Sequence, residues 1–169
     1  MAPVLRRRPI PDVVRGVALP AGDRRLAWAL TTDGLPVVAT TSALLLPGSE
    51  PVAWADVERA TWLRPMLTVV RLADGPAPIS GTGRETVLEL SDDDGALPDV
   101  VQTGVTSSVA WTTRVRLPSG GGARVVGRRR SGREDLDWQV VYDPGTDVLD
   151  PAVRALAEAV VTRSRRSIG

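Results

Sequence analysis

The sequence predicts a mainly β domain of the α+β class: a partly open antiparallel barrel or sandwich of seven or more strands, with a C-terminal amphipathic lid helix. Three observations carry that prediction. Apolar and polar residues alternate in short runs of strand length along most of the chain. Turn residues recur between those runs, as in Asp33-Gly34, Pro47-Gly48-Ser49 and Asp143-Pro144-Gly145. Near the end, a single stretch changes to helical spacing behind an Asp150-Pro151 start.

The chain of 169 residues has room for one domain, expected over 25–166. Residues 1–24, with Arg6-Arg7-Arg8 ahead of Pro9 and Pro11, read as a mobile arm. The broken run Val13 to Leu19 is too polar for the apolar core of a signal peptide, and no run approaches a membrane span. A soluble cytoplasmic protein is therefore expected.

Leu26, Trp28 and Leu30 alternate in a first strand, and Asp33-Gly34 is a two-residue hairpin signal. Val37 to Leu46 reads as one long strand that bends. From Val52 to Trp62 the alternation slips after Trp54, which places a bulge or bend near Asp56. Met66 to Leu72 and Thr86 to Leu90 follow as strands, separated by the loop Ala73 to Arg84 with Gly75, Pro76, Pro78, Gly81 and Gly83. Leu97, Val100, Val101 and Val105 have helical spacing behind Pro98, a short internal helix that Gly104 weakens. Extended structure is the alternative there. Val109 to Leu117, Ala123 to Arg130 and Leu136 to Tyr142 are three more strands, the first two joined by Ser119-Gly120-Gly121-Gly122. In the last helix Val153, Leu156, Ala157, Val160 and Ser164 form one stripe, and Arg163, Arg165 and Arg166 suit its C-terminal dipole.

Composition excludes more than it offers. There is no Cys and no His, so thiol chemistry, thiolate metal sites and the commonest general base are unavailable. All 21 basic residues are Arg, and Lys, Phe and Asn are absent, a bias that follows from GC-rich coding. The net charge of +1 gives no global field to steer toward nucleic acid or anionic membrane.

The phrases Gly22 to Trp28, Val37 to Leu44 and Trp54-Ala55-Asp56-Val57 resemble small proteins of high-GC Gram-positive (actinobacterial) bacteria. The strand-rich order with a final helix resembles the bacterial pleckstrin-homology-like superfold. That resemblance implies a binding scaffold, and it brings no catalytic residues with it.

Each candidate site has a plainer structural reading beside it. Asp92-Asp93-Asp94-Gly95 is acidic, yet lacks the ligand spacing of a calcium loop. Ser80 to Arg84 is glycine-rich, yet lacks the ending of a phosphate-binding loop. No metal or cofactor is expected. Ser107, Ser108, Tyr142 and Asp143 form no nucleophile-and-base signature, so an enzyme working with carboxylates is the least favoured class. Trp28, Trp111 and Trp138 lie in phase with apolar neighbours and belong to a core, whereas Trp54 and Trp62 near the bend are less certain. The arginines are the sharpest hint: Arg128, Arg129, Arg130 and Arg133, with Arg163, Arg165 and Arg166, would form an anion or partner site if they met in space. The expected function is a non-enzymatic, pleckstrin-like module binding a protein or peptide. Contact with nucleic acid or anionic lipid through the arginines is the alternative.

Overall fold

The structure, a computed structural model, describes residues 8–75, 78–118 and 120–168. Arg6, Arg7, Pro76 and Ser119, named above in the arm, loop and turn, lie outside them. Among the described residues the chain is mainly β, with three antiparallel sheets and three helices, and the sheets do not close into a barrel. No helix is long and apolar enough to cross a membrane.

The first sheet has the order β1 (Arg25–Leu30), β2 (Pro36–Thr40), β3 (Ala43–Leu45) and β4 (Val52–Ala53). The turn after β1 is longer than the two-residue kind: Gly34 alone has positive φ, and Thr31 N–H donates to the Leu35 carbonyl at 2.8 Å. The run from Val37 to Leu46 is two strands, not one bent strand. Thr40 and Ser42 donate their hydroxyls to the Asp23 carboxylate, which ties down the reversal between β2 and β3.

A single 3-10 turn, Trp54–Asp56, leads into the second sheet of β5 (Val57–Leu63), β6 (Met66–Arg71) and β7 (Glu85–Glu89). The bend expected near Asp56 is this turn and the bulge just after it. An isolated bridge from Thr31 to Leu90 links the first two sheets. Helix α2 (Leu97–Ser108) fills the space they leave, burying Leu97 and Val101 against Ala29, Leu44, Trp54, Val57 and Leu67. Gly104 belongs in that helix because a Cβ there would lie 2.6 Å from the Trp54 ring. Trp54, with 7% of its surface exposed, is thus a core residue, more firmly so than its position near the bend indicated.

The third sheet has the order β10 (Leu136–Tyr142), β9 (Gly122–Arg129) and β8 (Val109–Arg116). Trp111 and Trp138 flank Gly127 in register and pack with ring centroids 5.4 Å apart, over the space a side chain at 127 would need. Helix α3 (Pro151–Ile168) starts where expected, with Asp150 Oδ1 accepting the Ala152 N–H at 2.8 Å. Its buried Val153 and Ala157 pack with Ala123 and Tyr142 on one face of this sheet, while Leu156 is only half-buried. The C-terminal helix is therefore no lid on a barrel end. The helix over the first two sheets is α2, because it follows directly on their last strand.

The expected arm packs on the first sheet from Arg8 onward. Helix α1 (Asp12–Arg15) buries Val14 completely against Val38 and Leu45, with Ile10, Val17 and Leu19 around it. The Arg8 guanidinium lies 3.5 Å from the Trp28 ring centroid and pairs with Asp93 at 2.7 Å.

Candidate functional site

The third sheet meets the second along an ionic seam built by β9. Arg124 and Arg128 alternate on one face of that strand, and Arg130 follows just past its end. Opposite stand Asp56, in the 3-10 turn, and Glu58. Val57 pairs with Arg71 and Arg59 with Val70, so Glu58 is the extra residue of a bulge. The bulge leaves Val57 in the core and turns Glu58 toward β9.

The three arginines have different fates. Arg130 makes a two-pronged pair with Asp56 at 2.8 and 3.1 Å, and its Nε holds Asp137 at 2.6 Å. These hydrogen bonds raise its already high pKa further. Arg124 reaches Glu58 only at 3.8 Å. The Glu58 carboxylate is otherwise held by the Ser80 hydroxyl and by the Gly81 N–H at 3.1 Å. The loop that looked able to wrap a phosphate thus spends these donors on a carboxylate of its own chain.

Arg128 is the exception. It is 4% exposed, forms no ion pair among the described residues, and donates from Nη1 to Ser108 Oγ at 3.0 Å. Its Nε has no hydrogen-bond partner among them. Burial pushes the guanidinium pKa down and nearby Arg124 adds to that, against the opposing pull of Glu58 and Asp56. A charged group so placed is costly unless something compensates it.

On the other side of Ser108 lies a cleft of about 340 Å³, lined by Thr41, Ser42, Trp54, Gly104, Ser107, Arg129, Arg130 and Ser131. The first sheet, the end of α2 and the end of β9 each contribute one wall. Arg129 is exposed there and makes no ion pair among the described residues. The donors left for an anion are the Arg129 guanidinium and the Ser131 hydroxyl, over a floor of Trp54 and Gly104, because the hydroxyls of Ser42, Ser107 and Ser108 already donate to Asp23, Gly104 and Val105.

The seven arginines singled out from the sequence do not converge. Arg129 and Arg130 line the cleft, and Arg128 is buried behind its Ser108. Arg133 pairs with Asp137 at 3.2 Å and shares a second groove with Arg165, beside Glu134, Asp135 and Trp138. Arg163 and Arg166 are exposed on α3 and line neither groove. Sequence reasoning missed Asp56, Glu58 and Ser108 as partners of this cluster. The slip in alternation after Trp54 was the one local signal of the first two. Among the described residues no group of three or more carboxylates could hold a metal ion; Asp93 and Asp94 pair with Arg8 and Arg64 instead.

No protein family, curated protein or solved structure matches the chain.

Proposed function

We propose that the chain is a binding module that takes an anionic group, carried by a protein or peptide partner, into the cleft formed by the first sheet, α2 and the end of β9. The observation that carries this reading is Arg128, a buried cation with no carboxylate partner among the described residues, bonded to Ser108 at the rim of a cleft that also presents Arg129, which makes no ion pair among them. An anion seated at Arg129 and Ser131 would supply the compensating charge that Arg128 lacks. The carboxylates around the cleft are engaged within the chain, Asp56 and Asp137 by Arg130 and Asp23 by Thr40 and Ser42, which favours binding over carboxylate catalysis. The first unit, a four-stranded and a three-stranded sheet covered by a helix, supports the pleckstrin-homology-like reading with α2 in the closing position.

Titration with inorganic phosphate and with a phosphoserine peptide, followed by amide chemical shifts, tests the proposal. Shifts should centre on Ser107, Ser108, Arg129 and Ser131, and Arg129→Ala should weaken binding about tenfold, the worth of one charge-assisted hydrogen bond. Unchanged affinity in Arg129→Ala and Arg128→Met would overturn it. Tighter binding of single-stranded RNA or anionic vesicles than of the peptide, with a steep salt dependence, would replace the partner class.

A further inference from the structure

Strand β8 leaves one edge of the third sheet open. Among the described residues its one strand partner is β9, and from Thr112 to Arg116 its outer edge forms no backbone hydrogen bond, while the Val109 N–H turns back to the Thr106 carbonyl. The opposite edge of that sheet is partly closed, because Tyr142 of β10 bonds to Pro78 and Ser80. The open edge also has a definite phase. Leu117 N–H donates to the Gly121 carbonyl, so Val115, Thr113 and Trp111 are the residues bonded inward to β9. Thr112, Arg114 and Arg116 therefore turn N–H and C=O outward.

Those same residues carry the charge. Arg114 and Arg116 are exposed, two positions apart on one face, and Arg124 is the direct cross-strand neighbour of Arg114. Arg114 holds Asp143 at 2.7 Å with 68% of its side chain still exposed, and Arg116 makes no ion pair among the described residues. Such an edge resists a second copy, whose β8 would bring the same arginines with it. It suits an incoming strand with carboxylates at alternate positions, opposite Arg114 and Arg116. The edge begins at Val109, next to Ser108 of the cleft, so one extended segment would follow the edge toward the anion site.

We infer that the partner is an extended acidic peptide segment that adds to the third sheet as an antiparallel strand along β8, with its acidic side chains facing Arg114 and Arg116. This inference rests on the anion-cleft reading for the partner class and adds the surface that recognises its backbone. In an antiparallel pair the residues directly opposite Arg114 and Arg116 are those that exchange backbone hydrogen bonds with them. The acidic residues therefore carry the N–H groups that β8 uses, and the intervening residues do not.

The probe is an acetylated peptide of alternating glutamate and threonine as long as β8, made unmodified, N-methylated at every glutamate, or N-methylated at every threonine. Binding to the intact protein should fall about tenfold or more on methylation at glutamate and change little on methylation at threonine. Amide exchange of Thr112, Arg114 and Arg116 should slow only with the two peptides that bind. Arg116→Glu should weaken the peptide while leaving the inorganic phosphate affinity of the cleft unchanged. Equal behaviour of the two methylated peptides, or loss with the threonine set alone, overturns the antiparallel strand even where phosphate still binds. Loss of phosphate binding in Arg129→Ala with the peptide unaffected separates failure at the edge from failure at the cleft, and concentration-dependent dimerisation in place of peptide binding overturns the choice of partner.

Discussion

Gly104 and Trp54 are in contact so close that a single methyl group on Gly104 would lie 2.6 Å from the indole ring. Helix propensity by itself predicts that Gly104→Ala stabilises α2 by about 1 kcal/mol. Overpacking against a ring held in the core costs about 1 to 3 kcal/mol and outweighs it. Gly104→Ala should lower the melting temperature by several degrees, and a rise would show that the ring moves aside freely. Because both residues line the cleft, the same variant should also alter phosphate-induced shifts.

Arg128→Met should separate stability from binding. The substitution keeps most of the length of the side chain and removes a buried charge that has no carboxylate partner among the described residues. Buried ionic groups exchanged for well-packed apolar ones leave stability unchanged or raise it by about 1 to 4 kcal/mol. Chemical denaturation should therefore give an equal or higher midpoint, while phosphate binding at the cleft falls. A large loss of stability would mean that Arg128 serves the seam and not a ligand.

The Arg130–Asp56 contact joins positions far apart in sequence and should act as a clasp between the second and third sheets. Its side chains are 32% and 46% exposed, so solvent screens the pair and its worth is about 1 kcal/mol. A double-mutant cycle with Asp56→Asn and Arg130→Met should return a coupling of that size, shrinking in high salt. A coupling indistinguishable from zero at low salt would show that the apolar contacts of the third sheet position it unaided.

Asp23 predicts a pH dependence. Burial alone would raise its pKa, but hydrogen bonds from the Thr40 hydroxyl and from the Ser42 hydroxyl and N–H reverse that and hold the carboxyl below the ordinary aspartate range. A folded pKa below the unfolded value of about 3.9 means that the carboxylate stabilises the fold above that pH. The contribution is lost as pH falls through the folded value. Melting temperatures measured below about pH 4 should fall less steeply for Asp23→Asn than for the parent protein. Parallel slopes would assign acid sensitivity to other carboxylates.

Much of the local structure was legible because it repeats over a few residues. Alternation located β1, β8 and β10, the compact run from Met66 located β6, and the Asp150-Pro151 start located α3. Apolar spacing found α2 in spite of Gly104, whose reason for being there is a ring fifty positions earlier in the chain. The break between β2 and β3 was not legible, since its reversal at Thr40-Thr41-Ser42 contains no Gly, Pro, Asn or Asp and the clamp on it is the distant Asp23. The packing of α1 was hidden by the same kind of distance: Val14 finds Val38 and Leu45 only after the first sheet forms.

The site divides along the same line. The presence of arginines at 128, 129, 130, 133, 163, 165 and 166 is a matter of sequence, as is the lack of Cys and His that narrows the chemistry. Which of those arginines is neutralised, buried or free is not, because it depends on carboxylates brought from elsewhere in the chain, Asp56 and Glu58 at the second sheet and Asp137 on β10. A bulge turned Glu58 toward β9, Asp56 and Asp137 claimed Arg130, and Arg128 was left with a hydroxyl. Periodicity reports which face of a strand a side chain occupies, and only tertiary packing decides what stands opposite it.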